Sequence, residues 1–147
     1  MATILLLVLG CSRSAVPCVP NTPPPEAPRA AGCIVVSNGG LLMVRTAGGW
    51  SIPGGGVEPG ESTAETAARE TLEESGVTVT SRDVACVARD TAFVAHRCDA
   101  VAAGAPTPDG WEAYEARYVS AEELASWPED AFRFPAQVET YRAALRP

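Results

Sequence analysis

Residues 53–77 read PGGGVEPGESTAETAARETLEESGV and combine three successive glycines, a helix marked at both ends, and three glutamates crowded near its C-terminal end. Ser62-Thr63-Ala64-Glu65 is a capping box, which makes Ser62 the N-cap and Thr63 the first helical residue. Gly76 is the natural stop, one residue past the last helical position. At about 100° per residue, Ala64, Ala67, Ala68, Thr71, Leu72 and Ser75 gather on one face, predicted to meet a sheet closely through its alanines. Thr71 on that face is expected to bond back to the Ala67 carbonyl.

Glu70, Glu73 and Glu74 share an arc of about 100° on another face. Like charges at these spacings disfavour a helix by about 0.2–0.5 kcal/mol per pair. In the last turn the helix dipole opposes each anion by a further ~0.3–1 kcal/mol. Stability alone does not select this arrangement. A divalent cation reverses the sign of each contribution, and hard carboxylate oxygens suit Mg²⁺, with Mn²⁺ as a substitute. The competing reading, a solvated acidic face, fits any two of these glutamates better than all three with their spacing.

The rest of the composition points the same way. The 147 residues carry a formal charge of −7, and all 11 basic side chains are arginine. No basic stripe is present to neutralise a nucleic-acid polymer, and no lysine is available for a P-loop or a Schiff base. An acidic chain that handles phosphates needs a cation between them.

The chain divides into three parts. Residues 1–11 hold a short apolar run ending in Val8-Leu9-Gly10-Cys11, which resembles a lipobox. No Lys or Arg precedes the run, as a signal would require, and its length is about half a bilayer. Cytoplasmic location and a cell-envelope lipoprotein anchored at Cys11 are therefore both compatible with the sequence, and that anchor is the sole membrane contact expected. Residues 12–31 hold six of the thirteen prolines and read as an extended tether. Residues 32–147 form the folded domain. Of the five cysteines, Cys86 and Cys98 lie in apolar runs, where a small buried thiol is the default. In an exported chain lipidated at Cys11, the other four allow one or two disulfides.

Residues 32–36 and 40–46 flank Ser37-Asn38-Gly39 and predict a β-hairpin. Residues 50–52 are extended, further strands are predicted at 83–89, 92–101 and 113–119, and helices at 121–127, capped by Ser120, and 135–145. Strands interspersed with helices indicate an α/β sandwich.

Residues 55–77 resemble the Nudix box, G-x5-E-x7-R-E-U-x-E-E-x-G-U with U a bulky aliphatic residue. Gly55, Glu61, Arg69, Glu70, Glu73, Glu74, Gly76 and Val77 stand at its positions, and Thr71 departs from it at the first U. The box spans 23 of 147 residues. Trp50-Ser51-Ile52-Pro53 before it, and residues 115–124 after it, with Tyr118 where tryptophan is usual, also look like the family. The resemblance implies a mixed β-sheet between α-helices and Mg²⁺-dependent hydrolysis of a nucleoside diphosphate linked to another group. It further implies Glu70 and Glu74 as principal metal ligands, with Glu73 a further ligand, direct or through water, and a candidate base. Arg69 would orient Glu61 or a ligand carboxylate, and Gly54, Gly55 and Gly56 would bring backbone close to metal or phosphate. A further ligand is expected from Glu112 or Glu115.

Trp111 and Tyr114 are candidates to stack on a base, whereas Trp50 is expected in the core or at a surface hinge. His96 reads as a packed or partly exposed histidine rather than a base. Sequence features that mark ADP-ribose, NADH and coenzyme A hydrolases of the family are missing, which leaves a MutT-like nucleoside triphosphate hydrolase as the default. The alternatives are a catalytically silent nucleotide-binding module and an envelope-anchored accessory domain. The expected partner is a small-molecule nucleotide or conjugate, and a dimer is compatible with the sequence.

Overall fold

The computed structural model describes residues 16–147. The apolar run and the candidate lipobox cysteine Cys11 lie outside the described residues. Strands β1 (Ala30–Ser37) and β2 (Gly40–Thr46) form the expected hairpin. Its Asn38 and Gly39 adopt φ of 49° and 75°, the left-handed pair that a tight hairpin turn requires. Short strands β3 (Gly49–Ser51) and β4 (Gly54–Gly56) follow, then helix α1 (Thr63–Ser75), long strands β5 (Val79–Ala88) and β6 (Phe93–Ala100), and β7 (Glu115–Ser120). The chain ends with α2 (Ala121–Ser126) and α3 (Val138–Ala144). The predicted helix at 135–145 begins with a 3-10 turn at Pro135–Gln137.

These seven strands make one mixed sheet in the order β3-β2-β1-β6-β5, with β4 paired to β1 and β7 to β2. β1 runs parallel to β6 and antiparallel to both β4 and β2. Its first residues pair with β4 and its last two with β2, so the glycine stretch is drawn into the sheet directly beneath α1. β4 was not foreseen, because Gly-Gly-Gly carries no strand propensity. β5 starts earlier than predicted, with the polar residues Thr80–Asp83, and two register shifts follow at Val84. The irregularity lets neighbours Ala85 and Cys86 both join the same core cluster.

α1 covers one face of the sheet, over Ala31, Cys33, Val35, Leu42, Val77, Val79 and Cys98. The other face packs Ile34, Leu41, Met43, Trp50 and Val119 against Leu124, Phe132, Val138 and Tyr141 of the C-terminal elements. Trp50 packs against Trp127 with ring centroids 4.9 Å apart, which makes it a core residue rather than a surface hinge. His96 is buried, with Nε2 2.9 Å from Thr63 Oγ1, and burial lowers its pKa, so the neutral ring is favoured.

Two features depart from the sequence reading. The start of the described proline-rich stretch, residues 16–19, is docked on the domain rather than free as a tether. Val19 bridges to Val87 at the β5 edge, the Cys18 N–H donates to Gln137 Oε1 at 2.9 Å, and Cys18 bonds covalently to Cys86. Proline content sets the stiffness of such a segment, but a cross-link and edge pairing decide where it rests. Similarly, Cys86 and Cys98 are not thiols. Cys18–Cys86 and Cys33–Cys98 are disulfides, and all four residues are buried.

Candidate metal centre

α1 forms with the predicted caps: Ser62 Oγ accepts the Glu65 N–H at 3.2 Å and Glu65 Oε2 accepts the Ser62 N–H at 2.7 Å. Gly76 closes the helix at φ 69°, its N–H donating to the Leu72 carbonyl at 2.8 Å. Thr71 Oγ1 donates to the Ala67 carbonyl at 2.7 Å as expected.

Ala67, Thr71 and Ser75 are buried as predicted, but the buried face extends round to the glutamates and leaves Leu72 out. Leu72 is 49% exposed, whereas Glu70 and Glu74 are only 7% and 4% exposed. The reason lies outside the helix, because β4 lies against its glutamate side. A Cβ on Gly55 would overlap the Glu70 carboxylate, and one on Gly54 would press on the backbone of Ala31 and Gly32. Glycine at these two positions is what lets the strand pass between β1 and the buried carboxylates. Gly56 has open space around its Cα, and its carbonyl accepts from Arg69 Nη2 at 3.0 Å.

Arg69 organises the acidic residues. Nε and Nη2 grip Glu61 at 2.7 and 3.0 Å, while Nη1 reaches Glu70 at 2.8 Å and Glu73 at 3.1 Å. Thr66 Oγ1 donates a further bond to Glu61 at 2.7 Å. This bonding, from Arg69 above all, holds the Glu61 carboxyl down at about 2 and keeps it ionised.

Glu70 and Glu74 are in the opposite situation. Burial raises both pKa values, that of Glu74 to about 7, against the opposing pull of the Gly54 N–H, which donates to Glu74 Oε2 at 2.9 Å. Oxygens of Glu70, Glu74 and Glu112 lie within 4.8 Å of one another. Among the described residues, no ion pair reaches Glu74. Glu112 comes from the loop between β6 and β7. Of the two late carboxylates, it stands with the helix pair, while Glu115 instead pairs with Arg45 across the sheet at 2.8 Å. Glu73 stays at the rim, its side chain 53% exposed. Trp111 and Tyr114 flank Glu112 in sequence, and both are exposed, Trp111 at 85%.

Thr66 and Asp109, which support Glu61 and the Glu112 turn respectively, were not singled out from sequence. The position of Thr66 inside the box was a usable signal. Asp109 had only the turn-forming pair Asp109-Gly110 to mark it.

Comparison with known proteins agrees with this architecture. A Nudix hydrolase from Nitrosomonas europaea superposes with a TM-score of 0.67 at 23% identity, over 82% of this chain and 72% of that one. An ADP-ribose pyrophosphatase from Streptococcus suis gives 0.63 at 18% identity, over 81% and 90%. A MutT Nudix hydrolase from Burkholderia pseudomallei gives 0.58 at 25% identity, over 82% and 97%. No curated protein matches the chain in sequence. The NUDIX domain family matches across residues 26–138, taking in the hairpin, the glycine stretch, α1 and the loop that carries Glu112, and so the chain belongs to the Nudix hydrolase family.

Proposed function

We propose that this enzyme hydrolyses a phosphoanhydride bond in a nucleoside diphosphate linked to another group, in a reaction dependent on Mg²⁺ or Mn²⁺, with a nucleoside triphosphate as default substrate. The carrying observation is the burial of Glu70 and Glu74 side by side, joined by Glu112 within 4.8 Å, with Arg69 paired to Glu70 alone of the three. One shared guanidinium leaves this group with excess negative charge, and its donors are all hard oxygens, which fits a small divalent cation. Glu70, Glu74 and Glu112 would hold it. When bound, the cation supplies Lewis-acid activation of the phosphorus centre and of a water.

The protein's own groups do the positioning. The Gly54 N–H fixes Glu74, and Arg69 fixes Glu70 while Glu61 holds Arg69 in place. Glu73, exposed at the rim of the same network, is assigned to accept the proton of the attacking water. Trp111 and Tyr114 offer aromatic surface beside Glu112 for a base. Attack breaks the P–O–P bridge and yields two phosphorylated products, or a monophosphate and pyrophosphate from a triphosphate. A panel of nucleotides and conjugates with Mg²⁺ or Mn²⁺, products identified by mass, tests the proposal; no anhydride cleaved with either ion refutes it.

We infer also that the chain works in an oxidising compartment. Two buried disulfides support this, since such bonds persist where thiols are not kept reduced. Cell fractionation and thiol counting on the endogenous protein test it: four protected cysteines are expected, and free thiols throughout refute it.

A further inference from the structure

We infer that Asp109 is a positioning residue that holds Glu112 against Glu70 and Glu74, an inference that rests on the metal-site reading above. The loop between β6 and β7 is tied down at both ends. The Thr107 N–H donates to the Ser75 carbonyl at the end of α1 at 2.8 Å, and the Tyr114 N–H donates to the Arg45 carbonyl on β2 at 2.8 Å. Between these anchors the backbone turns on one atom. Asp109 Oδ1 accepts the N–H groups of Trp111, Glu112 and Ala113 at 3.1, 3.1 and 2.9 Å. The Gly110 N–H closes the turn on the Ala113 carbonyl at 3.0 Å, with Gly110 at φ 75°.

Glu112 needs this support because its side chain has none. It is exposed, and no hydrogen bond or ion pair to its carboxylate is present among the described residues, yet that carboxylate stands within 4.8 Å of two buried glutamates. Repulsion from Glu70 and Glu74 pushes Glu112 outward whenever no cation intervenes. Three backbone donors gathered on Asp109 resist that push by holding the peptide groups on both sides of Glu112, and Ala113, fully buried, seats the turn. The bonds use a single oxygen, so an asparagine carbonyl at this position can accept all three.

The test uses the full chain and two readouts. In metal-free protein, amide exchange of residues 111–113 should accelerate in Asp109→Ala and stay slow in Asp109→Asn. Mn²⁺ titration should show Asp109→Ala weakening affinity about as much as Glu112→Gln does, roughly 10–100-fold, as outer-shell partners of metal ligands do. Asp109→Asn should restore it to within about threefold, since only the charge assistance of the bonds is lost. The double variant Asp109→Ala/Glu112→Gln should bind no more weakly than Glu112→Gln alone, because both changes remove one contribution. If wild type binds Mn²⁺ and Asp109→Ala binds it equally well, or if the two losses add, the role of Asp109 is overturned while the site stands. Wild type that takes up no Mn²⁺ overturns the site reading and this inference with it.

Discussion

Glu74→Gln should raise the melting temperature of the metal-free protein at about pH 8.5 while abolishing its response to Mg²⁺. Burial lifts the Glu74 pKa from 4.5 to about 7, a penalty on the charged form of about 3.5 kcal/mol at alkaline pH, at about 1.4 kcal/mol per unit. The folded pKa lies above the unfolded one, so the folded state holds this proton more tightly. The associated stabilisation is complete below about pH 4.5 and is lost as pH rises through about 7. Glutamine never ionises and escapes that loss, and its amide oxygen can still accept the Gly54 N–H as the protonated carboxyl does. The net gain near pH 8.5 is about 3.5 kcal/mol, or roughly 7–14 °C in melting temperature, and it shrinks to about 1 kcal/mol or less near pH 5. Added Mg²⁺ at about 100 times its Kd should stabilise wild type by about 2.7 kcal/mol and the variant far less. Scanning calorimetry in chelator at the two pH values, then with Mg²⁺, reads every arm, alongside phosphate release. A variant less stable than wild type at alkaline pH in chelator, or one that keeps the full Mg²⁺ gain and turnover, refutes the reasoning.

Three further outcomes follow from the same geometry. Gly55→Ala places a methyl group on the Glu70 carboxylate and should weaken Mn²⁺ binding by about tenfold or more with the fold retained, as read by titration and circular dichroism. Glu61 has a depressed pKa, so its contribution is present above pH 4.5 and lost as pH falls towards about 2; Glu61→Gln should flatten acid unfolding across that window. Joint replacement of Cys33 and Cys98 by serine opens a link between positions 65 residues apart and should lower stability by up to about 4 kcal/mol in denaturant melts.

Much of the site could be read from residues 53–77 because its determinants are local. Capping at Ser62 and Gly76 sets the limits of α1, and once those are set, the spacing of Arg69, Glu70 and Glu74 on the helix surface follows from helical geometry. The fit of Arg69 to Glu61 is of the same kind, a side-chain pair reached within one loop and helix.

Other features depend on elements distant in the chain. The alanine side of α1 meets the sheet through Ala67 as its periodicity predicts, but β4 and the loop after β6 pack on the glutamate side and bury Glu70 and Glu74 as well. That burial turns two surface charges into groups with raised pKa values, a change that helical periodicity does not contain. The choice of Glu112 over Glu115 likewise rests on strand register, since pairing of Arg45 opposite Glu115 draws the latter into an ion pair of its own. Cysteine count could allow disulfides but not pair them; only the parallel register of β1 and β6 brings Cys33 beside Cys98, and only docking of residues 16–20 brings Cys18 to Cys86. Residue order along the chain therefore carries the chemistry and its local spacing, while burial, partner choice and cross-linking arise when segments far apart in sequence exclude water from between them.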